Sequence, residues 1–172
     1  VYFKNVKNTI ILKNQDFVDA IYRKIGKNCI SLGSGIEANV ETLSDQIDVT
    51  LHDIFKILRR PYWFVFGGET TVNVRGKGTG GRNLELCLRF MKHTSFTDFL
   101  FASIGTDGID GMAPAAGGIV DSATKGMLKD EEIESAIKNN DSYTILSKAH
   151  GTVITGRTGT NVSDIIVGYI GE

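Results

Sequence analysis

A glycine-rich stretch at residues 66–89 joins a predicted strand to a predicted helix, and it reads FGGETTVNVRGKGTGGRNLELCLR. Six of the chain's 20 glycines fall within residues 67–81. Apolar and polar residues alternate over residues 71–75, which predicts a strand, and Asn83 is expected to cap the helix that follows the glycines. Because a helix N-terminus exposes unpaired N–H groups and a partial positive charge, we expect this turn to bind an anion such as phosphate or carboxylate.

Short apolar runs bounded by turn residues predict the other strands, and helical periodicity predicts the other helices. The strands are expected at residues 8–12, 29–32, 62–66, 99–104, 117–120, 152–155 and 165–170. The helices are expected at residues 15–25, with Asn14 as cap, at 36–58 as one helix or two collinear ones, after Arg82, after a cap at Asp121, and at 131–138 and 143–149. The β-α-β order near the start favours a parallel sheet covered by helices, so the predicted fold class is α/β.

The chain of 172 residues has the length of one domain, or of one domain and a small piece of another. Pro61 ends the long helical pattern, and we expect a boundary there between residues 1–60 and residues 61–172. The first residue is Val1 rather than methionine, and a strand pattern follows almost at once. Such a start is typical of a fragment or processed part of a longer protein.

Composition limits the kind of partner that the chain has. The net charge is -1 and the pI is about 6.3, so the sequence has no basic surface for nucleic acid, and we expect a small molecule or another protein as the partner. No apolar run approaches the roughly 20 residues that a membrane-spanning helix needs. Cys29 and Cys87 lie in apolar surroundings with no metal or disulfide spacing, which favours buried free thiols and a cytoplasmic location.

Three loops that follow predicted strands carry charged or hydroxyl side chains. They are the glycine loop with its Lys and Arg residues, the loop at residues 105–111 and the loop at residues 156–161. If their strands are neighbours in one sheet, the loops form a pocket of cations, carboxylates and hydroxyl groups. That mixture suits phosphoryl transfer, because cations and backbone donors hold phosphate oxygens, one carboxylate holds Mg²⁺ and another accepts a hydroxyl proton.

Each of these signals has an alternative interpretation. Gly76, Gly78 and Gly81 formally match a dinucleotide-binding fingerprint, although the acidic residue expected about 20 residues later is missing. A nicotinamide-dependent reductase is therefore the alternative enzyme class. The aspartates of the second loop serve equally well as turn formers that hydrogen-bond their own backbone, and the threonine and asparagine residues of the third can stabilise a turn.

Four segments carry a resemblance to a known family. They are GGETTVNVRGKGTGGRNLE, SIGTDGIDGMAPAAGGIVDS, NNDSY and ITGRTGTNVSD, which occur in this order. In sequence they resemble the C-terminal domain of the glycerate 2-kinase family, also described as hydroxypyruvate reductases and known as the MOFRL domain. The resemblance covers about residues 62–170, and residues 1–60 resemble the last part of the family's N-terminal domain. It implies an α/β fold in which the end of a Rossmann-like parallel-sheet domain precedes a smaller, MOFRL-like α/β domain.

The resemblance also implies an activity, which is phosphorylation of D-glycerate to 2-phosphoglycerate with ATP and Mg²⁺ in a cleft between two domains. Arg82 would stabilise the transferred phosphate or the glycerate carboxylate. Asp107 would be the base or a metal ligand, a role that Asp110 could fill instead. The family motifs place substrate and phosphate binding at Glu69, Lys77, Gly78, Gly80, Gly81, Asn83, Thr158, Thr160 and Asn161.

The sequence departs from the family pattern at two positions and in its extent. Leu84 stands where the family usually has glutamine, and Arg157 stands where it usually has proline. Most of the family's N-terminal domain has no counterpart in this chain, so we expect that domain or its polypeptide to be a partner, beside D-glycerate. A NAD(P)-dependent hydroxypyruvate reductase and a non-catalytic anion-binding fragment remain the alternatives, and a homo-oligomer is left open.

Overall fold

The computed structural model describes residues 6–171, which contain six helices and seven strands. The helices are α1 (Asn14–Ile25), α2 (Val40–Leu58), α3 (Arg82–His93), α4 (Ser122–Gly126), α5 (Asp130–Asn139) and α6 (Ser142–Lys148). The strands are β1 (Cys29–Ser31), β2 (Ile36–Asn39), β3 (Tyr62–Thr71), β4 (Phe99–Gly105), β5 (Gly117–Asp121), β6 (Thr152–Val153) and β7 (Asp164–Ile170).

The strands form one mixed sheet in the order β1-β3-β7-β4-β5-β6, and β2 pairs with the second half of β3. The α/β class is confirmed, but among the described strands only the β1–β3 and β2–β3 pairs are parallel, and the other pairs are antiparallel. Asp164, the first residue of β7, lies opposite Gly68 on one side and Gly105 on the other. The final strand therefore begins at the sheet edge where β3 and β4 approach their ends.

Helix α3 is packed firmly into the larger of two hydrophobic clusters. Its apolar side chains are fully buried, and the ring of Phe90 stacks on that of Phe101 with 4.2 Å between the ring centroids. Each fully buried leucine or phenylalanine side chain contributes about 1.5–3 kcal/mol, so the helix is fixed against the sheet. The smaller cluster, formed by Val18, Cys29, Val65 and Ile165, anchors α1 on the sheet.

The predicted strand at residues 8–12 is wrong, because the structure has no regular secondary structure there. Ile10 and Ile11 are 72% and 92% exposed. An apolar run forms a strand only when a neighbour accepts its hydrogen bonds, and none of the described strands pairs with this segment.

The predicted helix at residues 36–58 is correct only from Val40 onward. Residues Ile36–Asn39 form β2 because they pair with β3, and the Asn39 side chain then caps α2 by accepting the N–H of Glu41 at 2.9 Å. Strand β3 continues to Thr71, and residues 72–75, which were predicted as a strand, lie beyond its last paired residue.

The other predicted strands and helices are present with small shifts of their ends. The cap of α1 is Lys13 rather than Asn14, whose side-chain amide instead donates to the carbonyls of Val162 and Asp164 at 2.7 and 2.9 Å. No helix in residues 6–171 has both the length and the apolarity needed to cross a membrane. The division at residue 60 stays a prediction, and strands from both sides of it share the sheet.

Candidate active site

An open cleft of about 800 Å³ lies at the ends of β2 and β3. Glu37 and Glu69, which are register partners on these two strands, line one wall. Gly80, Gly81 and Arg82, which lead into α3, also line the cleft. Four of the residues predicted to bind substrate or phosphate therefore meet at one cleft.

The guanidinium group of Arg82 is held by the buried carboxylate of Asp164. Nε donates to Oδ2 at 2.7 Å and Nη2 donates to Oδ1 at 2.9 Å, which is a two-pronged pair. The hydrogen bonds that Arg82 donates to Asp164 raise the pKa of Arg82 above its ordinary value. The third nitrogen, Nη1, lies 3.8 Å from Oε1 of Glu69, and the arginine side chain is 33% exposed. Arg82 is thus fixed on two nitrogens, while its remaining edge faces the cleft.

Asp164 belongs to a buried polar network that sequence reasoning missed. Besides Arg82, it accepts the side-chain amide of Asn83 at 3.0 Å and the backbone N–H of Thr70 at 3.3 Å. Asn83 in turn accepts the hydroxyl of Ser103. The signal was present in the sequence, because Asp164 is an acidic residue that directly precedes an apolar strand, where burial requires partners.

The N-terminus of α3 is capped by Asp110 from the second loop. Oδ1 accepts the N–H of Asn83 at 3.0 Å and Oδ2 accepts the N–H of Leu84 at 2.8 Å. The predicted cap is wrong, because the N-cap position is Gly81 and Asn83 is already the second helical residue. Burial raises the pKa of Asp110, although the hydrogen bonds from Leu84 and Asn83 oppose that shift.

The glycine loop is closed by the NNDSY segment of the same chain. Its five consecutive N–H groups at residues 75–79 all donate to acceptors at residues 139–141. A Cβ at Gly76 would lie 2.1 Å from the carbonyl oxygen of Asn139, so this glycine allows a close backbone approach. Gly78 uses its own N–H in the same way, at 2.9 Å from the Asn139 carbonyl. The donors of the dinucleotide fingerprint are therefore largely occupied within the protein.

The loop retains donors only next to the cleft. Among residues 6–171, no acceptor takes the N–H groups of Gly80, Gly81 or Arg82. These three residues line the cleft, whereas the exposed Lys77 does not.

Asp107 and the third loop form a second cluster beside the start of β7. Asp107 accepts the N–H of Ile109 at 3.0 Å and the side-chain amide of Asn161 at 3.5 Å. Thr158 donates its N–H to the Asp107 carbonyl at 3.2 Å, and its hydroxyl accepts the N–H of Thr160 at 3.3 Å. The structure thus brings these four predicted residues together, although none of them lines the cleft.

Ser163 connects the second cluster to the cleft. Its carbonyl accepts the N–H of Thr106 at 3.0 Å, and its hydroxyl donates to Oε2 of Glu69 at 3.3 Å. Its φ of 67° lies in the left-handed region, which a serine rarely adopts. Such backbone conformations persist where surrounding contacts enforce them, frequently at ligand sites.

The aspartates differ in their fitness for a metal ion. Mg²⁺ is usually bound by one or two carboxylates together with substrate phosphates. Asp107 is only partly buried and fits the role of a single ligand, whereas the buried carboxylate of Asp110 is engaged by backbone donors. Within residues 6–171, no group of three or more histidine, cysteine, aspartate or glutamate side chains forms a metal cage.

The fold of this chain is similar to that of a solved α/β kinase. This chain matches the crystal structure of glycerate kinase from Thermotoga maritima with a TM-score of 0.87 and 36% identity, over 97% of this chain and 42% of that one. Residues 62–164 match the model of the MOFRL family. The chain therefore belongs to the MOFRL family.

Curated relatives carry related names. The chain is 54% identical to the glycerate 2-kinase of Picrophilus torridus over 172 residues. This alignment covers 98% of this chain and 40% of that protein. It is 48% identical to the D-glycerate 2-kinase of Thermotoga maritima over 116 residues. That alignment covers 66% of this chain and 28% of that protein. The chain thus spans about 40% of the length of the Picrophilus torridus relative.

Proposed function

We propose that this chain is part of an ATP-dependent kinase that phosphorylates D-glycerate to 2-phosphoglycerate, and that the cleft at Arg82 contributes to its active site. The Arg82–Asp164 pair carries the proposal. An arginine that is held on two nitrogens and lines the cleft with its third beside Glu69 presents a fixed positive charge, which suits the charge on a transferring phosphoryl group. The names of the relatives support the same reaction.

The residues of the cleft and of the neighbouring Asp107 and Asp110 loop have separate roles in binding, proton transfer and positioning. Nη1 of Arg82, together with the N–H groups of Gly80 and Gly81, contacts phosphoryl oxygens or the glycerate carboxylate. Asp107 accepts the hydroxyl proton or holds Mg²⁺. We assign Asp110 to holding the N-terminus of α3 rather than to proton transfer, because its oxygens accept two backbone N–H groups there.

ATP and Mg²⁺ fit this division of roles. When bound, Mg²⁺ neutralises charge on the phosphate oxygens, and Asp107 is the residue of this chain that would hold it. The exposed apolar side chains of Val74 and Met112, which are 74% and 88% exposed, lie at the cleft and suit contact with the nucleotide or with the rest of the polypeptide. In this proposal residues 61–172 form the MOFRL-like domain and residues 1–60 end a Rossmann-like one.

In this proposal the remaining part of the active site is supplied by the segment of the relatives that the chain does not span. Two free buried cysteines fit a reducing cytoplasm, which is the location we propose.

The test is a chimera in which this chain replaces the matching segment of the Picrophilus torridus relative. ADP release from ATP and Mg²⁺ is measured with and without D-glycerate, on the chimera and on this chain alone, and the position of phosphate in the product is identified. Glycerate-dependent release that yields 2-phosphoglycerate supports the proposal. A folded chimera that releases no ADP with glycerate contradicts it, and oxidation of NADH or NADPH with hydroxypyruvate would favour the reductase instead.

A further inference from the structure

We infer that Asp164 is a positioning residue for Arg82. It determines which edge of the guanidinium group meets a ligand anion. The inference rests on the proposed function for its kinetic consequence, but the arrangement itself can be tested without any turnover.

The carboxylate of Asp164 is oriented by groups other than Arg82. The Asn83 side chain on α3 donates to Oδ1, and the Thr70 N–H on β3 donates to Oδ2. The residue is 0% exposed and begins β7, which lies between β3 and β4, opposite Gly68 and Gly105. Since strand and helix fix the carboxylate independently, it serves as a rigid template for the arginine.

The template leaves the guanidinium group only one orientation. Nε and Nη2 are both engaged by Asp164, so Nη1 is the nitrogen that remains for the cleft, beside Glu69. Without such a partner, a long arginine side chain samples many rotamers, so its guanidinium group has no fixed orientation. Because a misplacement of about 1 Å can lower turnover by about 100-fold, the orientation matters for catalysis.

A purely structural role for Asp164 makes a different prediction. In that case its loss would weaken the contact between α3 and the sheet, and the effect on turnover would not depend on Arg82. The two roles are separated by a double-mutant cycle, in which the interaction between two residues appears as non-additivity.

The kinetic experiment measures kcat of the chimera and of its Arg82→Ala, Asp164→Asn and doubly substituted forms. We expect kcat to fall by about 100- to 1,000-fold in Arg82→Ala and by about 100-fold in Asp164→Asn, and the double variant to fall within about twofold of Arg82→Ala. Guanidinium ion should restore turnover to Arg82→Ala but not to the double variant. An Asp121→Asn variant makes the same substitution at the N-cap of α4, a residue that does not line the cleft, and should keep kcat unchanged. The inference is overturned if the loss of kcat in the double variant equals the product of the two single losses. It is also overturned if guanidinium ion restores turnover equally to Arg82→Ala and to the double variant.

The second experiment uses this chain and inorganic phosphate, with the Nε–H resonance of Arg82 as the signal. The wild type should show a slowly exchanging resonance that shifts on phosphate addition. In Asp164→Asn the resonance should exchange rapidly, and the affinity for phosphate should fall by about tenfold or more. An unchanged resonance and unchanged affinity contradict the inference. If the chimera has no kinase activity, the proposed function fails, and this spectroscopic experiment still decides the role of Asp164.

Discussion

The side chain of Asp110 accepts the backbone N–H of Leu84 at 2.8 Å and so closes the N-terminus of α3 from a neighbouring loop. A helix N-terminus favours an anion, and here the protein supplies its own. The donors that remain for a ligand therefore lie just before the helix, at Gly80, Gly81 and Arg82.

Substitution of Asp110 by asparagine should change stability in a pH-dependent way. Burial raises the pKa of Asp110 above its ordinary value of 3.8. A raised folded-state pKa means that the group's contribution to stability is fully present below pH 3.8 and is lost as the pH rises through the folded-state pKa. Asparagine does not titrate, so the free energy of unfolding of the wild type minus that of Asp110→Asn should fall over this range and then level off.

Urea denaturation of both proteins from about pH 3 to about pH 8 measures this difference, in which the titration of other groups cancels. A difference that is constant with pH would show that Asp110 has an ordinary pKa.

Substitution of Gly76 by alanine should destabilise the protein by about 1–3 kcal/mol, because the added Cβ would overlap the backbone of Asn139. Gly126 is a matched control, since a Cβ there meets nothing within 4 Å. Gly126→Ala should change the free energy of unfolding by less than about 1 kcal/mol and in the stabilising direction. Equal effects in denaturant unfolding would contradict the close approach at Gly76.

Substitution of Asn140 by alanine should loosen the glycine loop. Oδ1 of Asn140 accepts the N–H groups of Arg75 and Gly76 at 2.7 and 2.9 Å, and its amide nitrogen donates to Oε2 of Glu85 at 2.9 Å. Without that acceptor the two N–H groups should exchange with deuterium much faster, whereas amides in the middle of β4 should keep their protection. Unchanged exchange at residues 75–76 would contradict this role.

Neither cysteine should react with a thiol reagent while the protein is folded. Burial raises the pKa of Cys87 far above its ordinary value and raises that of Cys29 as well, so the reactive thiolate is scarce near pH 8. Absorbance after addition of a disulfide reagent should show slow modification in buffer and fast modification of both thiols in denaturant. Rapid labelling of Cys87 in the native protein would show that the α3 core opens readily.

Local patterns in the sequence were sufficient for strands that pair with a neighbour on each side. The apolar runs at residues 99–104 and 117–120 became β4 and β5, because such runs are stable only inside a sheet. The run at residues 8–12 also contains three consecutive apolar residues, but it has no pairing partner among the described strands, and local sequence alone cannot reveal that difference.

The chemistry of the site was only partly predictable for a related reason. Arg82 and Glu69 were recognised from their motifs, and both line the cleft. The closure of the glycine loop was not foreseen, because Lys77 and its acceptor Asn139 are 62 residues apart in the sequence. Asp164 was overlooked because its importance depends on tertiary contacts with α3 and β3.

The central claim is that Arg82 stabilises charge during phosphoryl transfer to D-glycerate. The most direct measurement is glycerate-dependent ADP release by the chimera, compared with its Arg82→Ala and Arg82→Lys variants and with Gly126→Ala as a control for folding. We predict a loss of about 100- to 1,000-fold in kcat for Arg82→Ala, a large loss for Arg82→Lys because lysine cannot form the two-pronged pair, and no loss for the control. An Arg82→Ala chimera that is folded and turns over at the wild-type rate would contradict the account.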